Sequence, residues 1–238
     1  METLGSPIGL SLLGVLTLLL GPLSFRLGVL SPKTSFLFLL LGMLLEIGAA
    51  GWALVSAVRS PPGPLQGWIA VALGVAALLI PVSGALKAKS LPMIHDITTD
   101  TANPPEFVTV APERSLAPNG VAYGGPEIAA LQKGAYADLQ PIESKLKPTQ
   151  AFETAVTLVQ QLGWKLVSKE QTESGTAIEA TDTTLLYGFK DDIVIRIQSA
   201  REGSRLDLRS ASRIGLSDLG KNAERIRKFR EAYQAAGG

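Results

Sequence analysis

Two arginines four positions apart, Arg209 and Arg213, lie in the segment RSASRIGLSDLG. The alternation of the residues before it predicts a strand, and every second residue of a strand shares a face. Arg196, on the preceding predicted strand, reaches the same face through a hairpin turn. Neighbouring like charges destabilise a sheet unless partners neutralise them. We therefore expect one of two arrangements. One is an internal network with Asp182 or Asp192, and the other is a bound anion, such as a lipid headgroup, near the next helix N-terminus.

His95 is the only histidine, and the chain contains no cysteine. Together with Asp96 and Asp100, His95 offers the residue types of acid–base chemistry, as in a hydrolase. However, the spacing matches no established metal or nucleophile motif. Asp and Thr in the segment HDITTDT are also common turn and cap formers. The segment therefore predicts a turn, with a polar site at His95 as the alternative. The sequence predicts no catalytic residue, metal site or cofactor.

Glu46 is the single charge in the apolar segment Ser35–Val58. A charge at the centre of a membrane span costs about 2.5–3.5 kcal/mol, so such residues have partners or a function. One interpretation is a protonated acid bonded to a neighbouring helix, in the same chain or in a homo-oligomer formed through the spans. The other is an ion relay or ligand contact in a transport accessory protein. The spans carry few other polar groups, which favours the first interpretation.

Three segments are long and apolar enough to cross a membrane, which takes about 20 residues. They have no polar stripe that could face water, and they are Pro7–Phe25, Ser35–Val58 and Gly67–Leu86. The proline-rich segment RSPPGPLQ (Arg59–Gln66) predicts a tight connection between the second and the third. We therefore predict an integral membrane protein whose residues 1–90 form a three-span transmembrane region in contact with the lipid bilayer.

The lysine and arginine residues that flank the spans bear on the side of the membrane on which the C-terminal domain lies. The loop after the first span and the chain after the third share one side, which carries Arg26, Lys33, Lys87 and Lys89. The other side carries Arg59 alone. Positively charged residues favour the cytoplasmic side, so this count favours a cytoplasmic C-terminal domain.

Residues 91–147 are rich in proline and glycine, with turn segments such as HDITTDTANPPEF and APNGVAYGGPEIAAL. Such a composition predicts either a disordered linker or an extended strap over a folded domain. Phe107, Val110 and Tyr123 are apolar residues that a linker does not need. We therefore expect a strap with short helical turns.

Residues 148–238 predict the element order α-β-β-β-β-α. PTQAFETAVTLVQQLG has the helical period, with Phe152, Val156, Val159 and Leu162 on one face, and Gly163 ends the helix. WKLVSKE, GTAIEATDTTLLYG, DDIVIRIQS and RLDLRSASRIG predict strands, the second with room for a bulge, separated by the turns QTESG and REGS. The last helix begins near Ser217 or Asp218, good N-cap residues. Its apolar stripe comprises Leu219, Ala223, Ile226, Phe229 and Tyr233.

The predicted fold class is α+β: three N-terminal transmembrane helices followed by an antiparallel four-stranded sheet with helices packed on one face. The alternation of the last two strands predicts which of their residues lie on the face that the helices cover. These are Ile193, Ile195, Ile197, Leu206, Leu208, Ser210, Ser212 and Ile214.

The net charge of +1 provides no global field that would attract nucleic acid, so no nucleic-acid partner is expected. The last helix carries five basic residues in KNAERIRKFR, tempered by Glu224 and Glu231. A solvated helix face explains this pattern, and contact with anionic lipid is the alternative.

The segments IHDITTDTANPPEF and DDIVIRIQSAREGSRLDLRSASRIGLSDLGKNAERIRKF resemble the domain-of-unknown-function 1499 family. The resemblance covers residues 92–235 and is most specific in RSASRIGLSDLGKNAERIR. It implies a bacterial or plastid protein, and it assigns no activity, substrate, cofactor or catalytic residue. Some similar proteins begin like lipoproteins, which implies a domain outside the cytoplasm, contrary to the charge count.

Taken together, the sequence predicts a membrane-anchored, non-catalytic binding or envelope-associated module in a bacterial plasma membrane, with an extracytoplasmic domain slightly favoured. The alternatives are a hydrolase that uses His95 with nearby carboxylates, and a transport accessory protein that uses Glu46.

Overall fold

The structure, a computed structural model, describes residues 6–59, 65–172 and 175–238. The N-terminal part consists of three helices, α1 (Pro7–Arg26), α2 (Pro32–Arg59) and α3 (Leu65–Ser90). At about 1.5 Å per residue, each is at least about 30 Å long, the thickness of the hydrocarbon core of a bilayer. All three are apolar over a stretch of membrane-spanning length, as the sequence predicts. The predicted connection at Arg59–Gln66 lies mostly outside the described residues.

Small residues allow these helices to approach one another closely. A Cβ added at Gly21 of α1 would lie 2.6 Å from the Ser35 carbonyl oxygen of α2. A Cβ at Gly74 of α3 would lie 2.5 Å from the Cβ of Ala50 of α2. Helices in lipid associate largely through such close van der Waals packing, because lipid tails remove the hydrophobic driving force.

The C-terminal part is built on one antiparallel sheet in the order β1-β6-β5-β4-β3, with β2 also paired to β6. Its strands are β1 (Asp96–Thr98), β2 (Ile142–Ser144), β3 (Lys165–Thr172), β4 (Gly175–Thr183), β5 (Lys190–Ala200) and β6 (Gly203–Ser212). The α+β class is confirmed, but the described sheet has six strands rather than four. The strap supplies β1 and β2, which pair along the outer side of β6 and so cover an edge that would otherwise be open.

One face of the sheet is covered by α6 (Pro148–Gln161) and α7 (Lys221–Ala235). The predicted isoleucines of β5 and leucines of β6 form the core beneath them. α7 buries Ala223, Ile226, Phe229 and Tyr233, which belong to the predicted stripe. α6 buries Ala151, Ala155, Leu158 and Val159, whereas the predicted Phe152, Val156 and Leu162 are only partly buried. The buried face of α6 is therefore rotated from the predicted one, because small alanines allow the helix to lie closer to the sheet.

The strap, which includes α4 (Ala111–Ser115), covers the opposite face of the sheet. α5 (Gly125–Ala135) follows α4 along the chain. Phe107 and Val110 of the strap pack on Val194 of β5 and Ala211 of β6. The face that the sequence places away from the helices is therefore buried as well.

Glu179 of β4 fastens the strap to this second face. Its carboxylate accepts hydrogen bonds from three consecutive backbone N–H groups, those of Val108 (2.7 Å), Thr109 (2.9 Å) and Val110 (2.8 Å). Glu179 is only 2% exposed, so a charged acceptor satisfies three donors that the irregular strap leaves without backbone partners.

Two predicted boundaries are wrong. α7 begins at Lys221 rather than near Ser217 or Asp218, because Leu219 (φ 52°) and Gly220 (φ 77°) are left-handed and interrupt the helix. Asp218 still caps it, since its carboxylate accepts the N–H groups of Gly220 (2.8 Å) and Asn222 (2.7 Å). Burial raises the pKa of this carboxyl, while these backbone hydrogen bonds oppose the rise.

The second boundary concerns the strand predicted up to Gly188, which ends at Thr183. The irregularity expected in that strand lies instead in its partner, where the register of β3 shifts between Leu166 and Ser168. The predicted turn QTESG falls partly on residues 173–174, outside the described residues. Gly163, predicted to end the preceding helix, has a φ of +76°, which glycine adopts without strain.

Candidate ligand pocket between the first strand and the strap

Arg209 of β6 lies between the sheet and the strap. Its Nε and Nη2 donate to the carboxylate of Asp96 on β1, at 3.0 and 2.8 Å. Its guanidinium lies 4.6 Å from the ring centre of Phe107 and 5.7 Å from that of Tyr123. Both members of the ion pair are nearly inaccessible, at 3% for Arg209 and 5% for Asp96. The pair therefore joins the edge strand β1 to the second face of the sheet.

Arg213 and Arg114 share the carboxylate of Asp192. Arg213 donates from Nε and Nη2, both at 2.8 Å, Arg114 donates from Nη1 at 2.9 Å, and Thr181 donates its hydroxyl at 2.7 Å. Burial by itself would raise the pKa of Asp192, but the hydrogen bonds from Arg213, Thr181 and Arg114 outweigh it, and the pKa is lowered. A hydrogen bond from Arg213 also lowers the pKa of Glu113, which lies on α4.

Arg196 of β5 is held by two aspartates, Asp207 of β6 and Asp100, which follows β1. Its Nη2 donates to Asp207 at 3.0 Å and to Asp100 at 3.2 Å. Arg205 donates to the same two carboxylates. The three predicted ligand-binding arginines, Arg196, Arg209 and Arg213, thus all have carboxylate partners within the domain.

These cations also fix one segment of the strap, residues 118–124. Arg209 Nη2 donates to the Val121 carbonyl at 2.8 Å, and Arg114 Nη2 donates to the Gly120 carbonyl at 3.0 Å. The Asn119 N–H donates to the Arg213 carbonyl at 3.0 Å. Charged donors thereby satisfy carbonyls of a segment that belongs to no helix or strand. The path of residues 118–124 is therefore set by the buried arginines.

A pocket of about 360 Å³ lies between this strap segment and the residues that lead into β1. This volume is within the range of small-molecule sites, about 300–1,000 Å³. Its polar lining residues are His95, Asp96 and Asn119. Its apolar lining residues are Met93, Ile94, Pro118, Ala122, Ile128 and Leu216. Among the described residues, no lysine or arginine lines it.

His95 is the titratable group of this lining that has no ionic partner. Its backbone carbonyl accepts hydrogen bonds from Ser212 N–H and the Asn222 side chain, both at 2.9 Å, which fixes its position beside β6. Its Nδ1 is buried and has no hydrogen-bond partner among the described residues. Asp96 is engaged by Arg209, and Asp100 by Arg196, so the structure does not join His95, Asp96 and Asp100 into one acid–base group.

A scan against protein-family models matches residues 96–233 to a family described as a protein of unknown function, DUF1499. This match covers more than half of the chain. The chain belongs to the DUF1499 family. A search of curated proteins and a search of solved structures each found no match.

The match begins at Asp96, so all of the sheet and the strap segment at residues 118–124 belong to the DUF1499 domain, whereas Met93, Ile94 and His95 just precede it. Sequence reasoning missed Arg114, Asn119 and Gly120 as builders of the pocket. The turn-rich composition of APNG marked the segment as irregular, but contained no signal for what it contacts.

Glu46 belongs to α2, one of the three long apolar helices. Ser11 of α1 donates its hydroxyl to Glu46 Oε2 at 2.9 Å, and Glu46 Oε1 has no partner among the described residues. Gly14 provides the room, since a Cβ there would lie 2.8 Å from Oε1. Glu46 is therefore bonded to a neighbouring helix of the same chain.

Proposed function

We propose that this protein is a membrane-anchored, non-catalytic binding protein whose DUF1499 domain holds a small ligand in the pocket beside His95. The observation that carries the proposal is the construction of the pocket wall. Arg114 and Arg209, both buried, hold residues 118–124 in one path before any ligand arrives. A wall fixed in advance reduces the ordering cost of binding.

Binding is favoured over hydrolysis because an acid–base pair needs a carboxylate within hydrogen-bond reach of the histidine. The aspartates nearest in sequence, Asp96 and Asp100, are both engaged by arginines. An anion at Arg196, Arg209 or Arg213 would have to displace these internal carboxylates. The pocket is the more accessible site for a ligand.

The pocket can be tested with the full chain purified from its membrane and analysed intact by native mass spectrometry. We expect the wild type to retain a bound mass that the Ala122→Trp variant loses, because Ala122 is an exposed pocket residue whose enlargement fills the space. Ala137→Trp is the matched control, an exposed alanine outside the pocket lining. A wild type without bound mass, or equal retention by all three proteins, would contradict the proposal.

We further propose that the domain lies on the extracytoplasmic side of a bacterial plasma membrane. The extracytoplasmic location that the family resemblance implies supports this side, against the lysine and arginine count. A reporter that is active only outside the cytoplasm, fused after Gly238, should be active. Activity of a cytoplasm-dependent reporter at the same position would instead assign the domain to the cytoplasm.

A further inference from the structure

We infer that the His95 pocket accepts the hydrocarbon chain of a membrane phospholipid, while the headgroup stays outside. This inference rests on the proposed function and names the ligand class of the same site. Three features of the described residues support it: the chemistry of the lining, the exposed residues of the lining, and the short tether to the membrane.

The lining suits a hydrocarbon chain rather than a charged solute. Most of its residues are apolar, and no lysine or arginine among the described residues lines it. Asp96, the one acidic residue of the lining, forms an ion pair with Arg209, which is not a lining residue. The Asn119 side chain donates to the carbonyls of Ser212 and Gly215, so it offers few free donors to a ligand. A phosphate or carboxylate would find no lysine or arginine among the described lining residues, whereas methylene groups are stabilised by leaving water for an apolar lining.

Two large apolar side chains of the lining are exposed to solvent. Met93 is 70% exposed and Leu216 is 74% exposed. Unbranched methionine side chains adapt to ligands of varied shape. Because both residues line the pocket and are exposed to solvent, an apolar ligand in the pocket would cover apolar surface that water now contacts.

The third feature is the length of chain between the pocket and the bilayer. Met93 follows Ser90, the last residue of α3, by three positions. A fully extended chain spans at most about 3.6 Å per residue, so Met93 stays within roughly 11 Å of the end of this helix. Met93, a lining residue, is therefore tethered closely to the last apolar helix, and for a membrane-anchored protein phospholipid is the most concentrated apolar ligand.

The absence of cysteine from the chain permits a test by single-site labelling. The full chain, with Leu216→Cys carrying a fluorophore, is placed in nanodiscs of phosphatidylcholine and phosphatidylglycerol. These contain a lipid with a quenching nitroxide on the headgroup, near the carbonyl end of the acyl chain, or near its methyl end. If the chain enters the pocket, the methyl-end nitroxide quenches most. A label that merely lies near the membrane is quenched most by the headgroup nitroxide.

The matched control is Val167→Cys, an exposed position on β3, at the opposite edge of the sheet from β1. It should show no preference for the methyl-end nitroxide. Adding Ala122→Trp should weaken chain occupancy at the Leu216→Cys label by about tenfold or more, the loss expected when about two methylene groups are excluded. Gly120→Leu, at a site with open space around it, provides a second filled variant should Ala122→Trp fail to fold.

Headgroup-dominated quenching at Leu216→Cys, or methyl-end quenching unaffected by the filled variants, would overturn the lipid inference. If native mass spectrometry then still shows a pocket-dependent bound mass that is not a lipid, the proposed binding function stands and only the ligand class is wrong. If it shows no pocket-dependent mass, both fail.

Discussion

Replacing Arg213 with glutamine should destabilise the folded domain even when no ligand is present. Arg213 supplies two of the four side-chain hydrogen bonds to the buried Asp192 carboxylate. Glutamine removes the positive charge and at least one of these bonds. Asp192 would remain buried and charged, with Arg114 and Thr181 as its remaining partners.

Two limits bound the size of this effect. Breaking a buried ion pair outright costs about 3–5 kcal/mol, and losing an ordinary hydrogen bond costs about 0.5–1.5 kcal/mol. Because Asp192 keeps Arg114 at 2.9 Å, the loss should fall between these limits, at about 2–3 kcal/mol. For a domain of this size, such a loss of stability lowers the thermal unfolding midpoint by roughly 5–10 °C.

The assay is thermal unfolding of the full chain in detergent, followed by near-ultraviolet circular dichroism, with and without phosphate. Arg201→Gln is the control, because Arg201 is exposed in the β5–β6 turn and its replacement should change stability by less than about 0.5 kcal/mol. If Arg213→Gln leaves the midpoint without phosphate unchanged but abolishes stabilisation by phosphate, Arg213 binds an anion and the network reasoning is refuted.

Three further outcomes are expected. The pKa of Asp192 in the folded protein is lowered from 3.8, so the stability that this carboxylate contributes is present above pH 3.8 and is lost as the pH falls through the folded pKa. Asp192→Asn should therefore be less stable than the wild type at neutral pH and approach it in strong acid. A difference in stability between the two proteins that is constant with pH would contradict this linkage. Glu179→Gln should loosen the strap and speed proteolytic cleavage between β1 and α5, whereas the exposed Glu202→Gln should not; equal cleavage rates would show that the three N–H contacts contribute little. Glu46→Leu should weaken the α1–α2 pairing and lower the thermal unfolding midpoint of the three-helix region, whereas Glu46→Gln, which still accepts the hydrogen bond from Ser11, should retain most of this stability. An unchanged unfolding midpoint in Glu46→Leu would show that the polar contact is dispensable.

The three long apolar helices and the main elements of the C-terminal domain could be predicted because their signals are local. A continuous apolar stretch predicts a span from its length alone. The alternation in DDIVIRIQS predicts that the isoleucines of β5 lie in the core, and Gly163 predicts the end of α6. Both predictions depend only on neighbouring residues. The same reasoning grouped Arg196, Arg209 and Arg213 on one face and showed that they need negative partners.

Which partners they have was decided by tertiary structure. Arg209 pairs with Asp96 across 113 positions of sequence, and Arg213 pairs with Glu113 across 100. Asp96 of HDITTDT becomes the partner of Arg209 only because β1 pairs with β6 in the folded sheet. Periodicity reports the face on which a residue lies, but not which distant segment covers that face. The pocket beside His95 exists because two buried arginines fix an irregular strap segment, and irregular segments carry no period from which a sequence could predict their path.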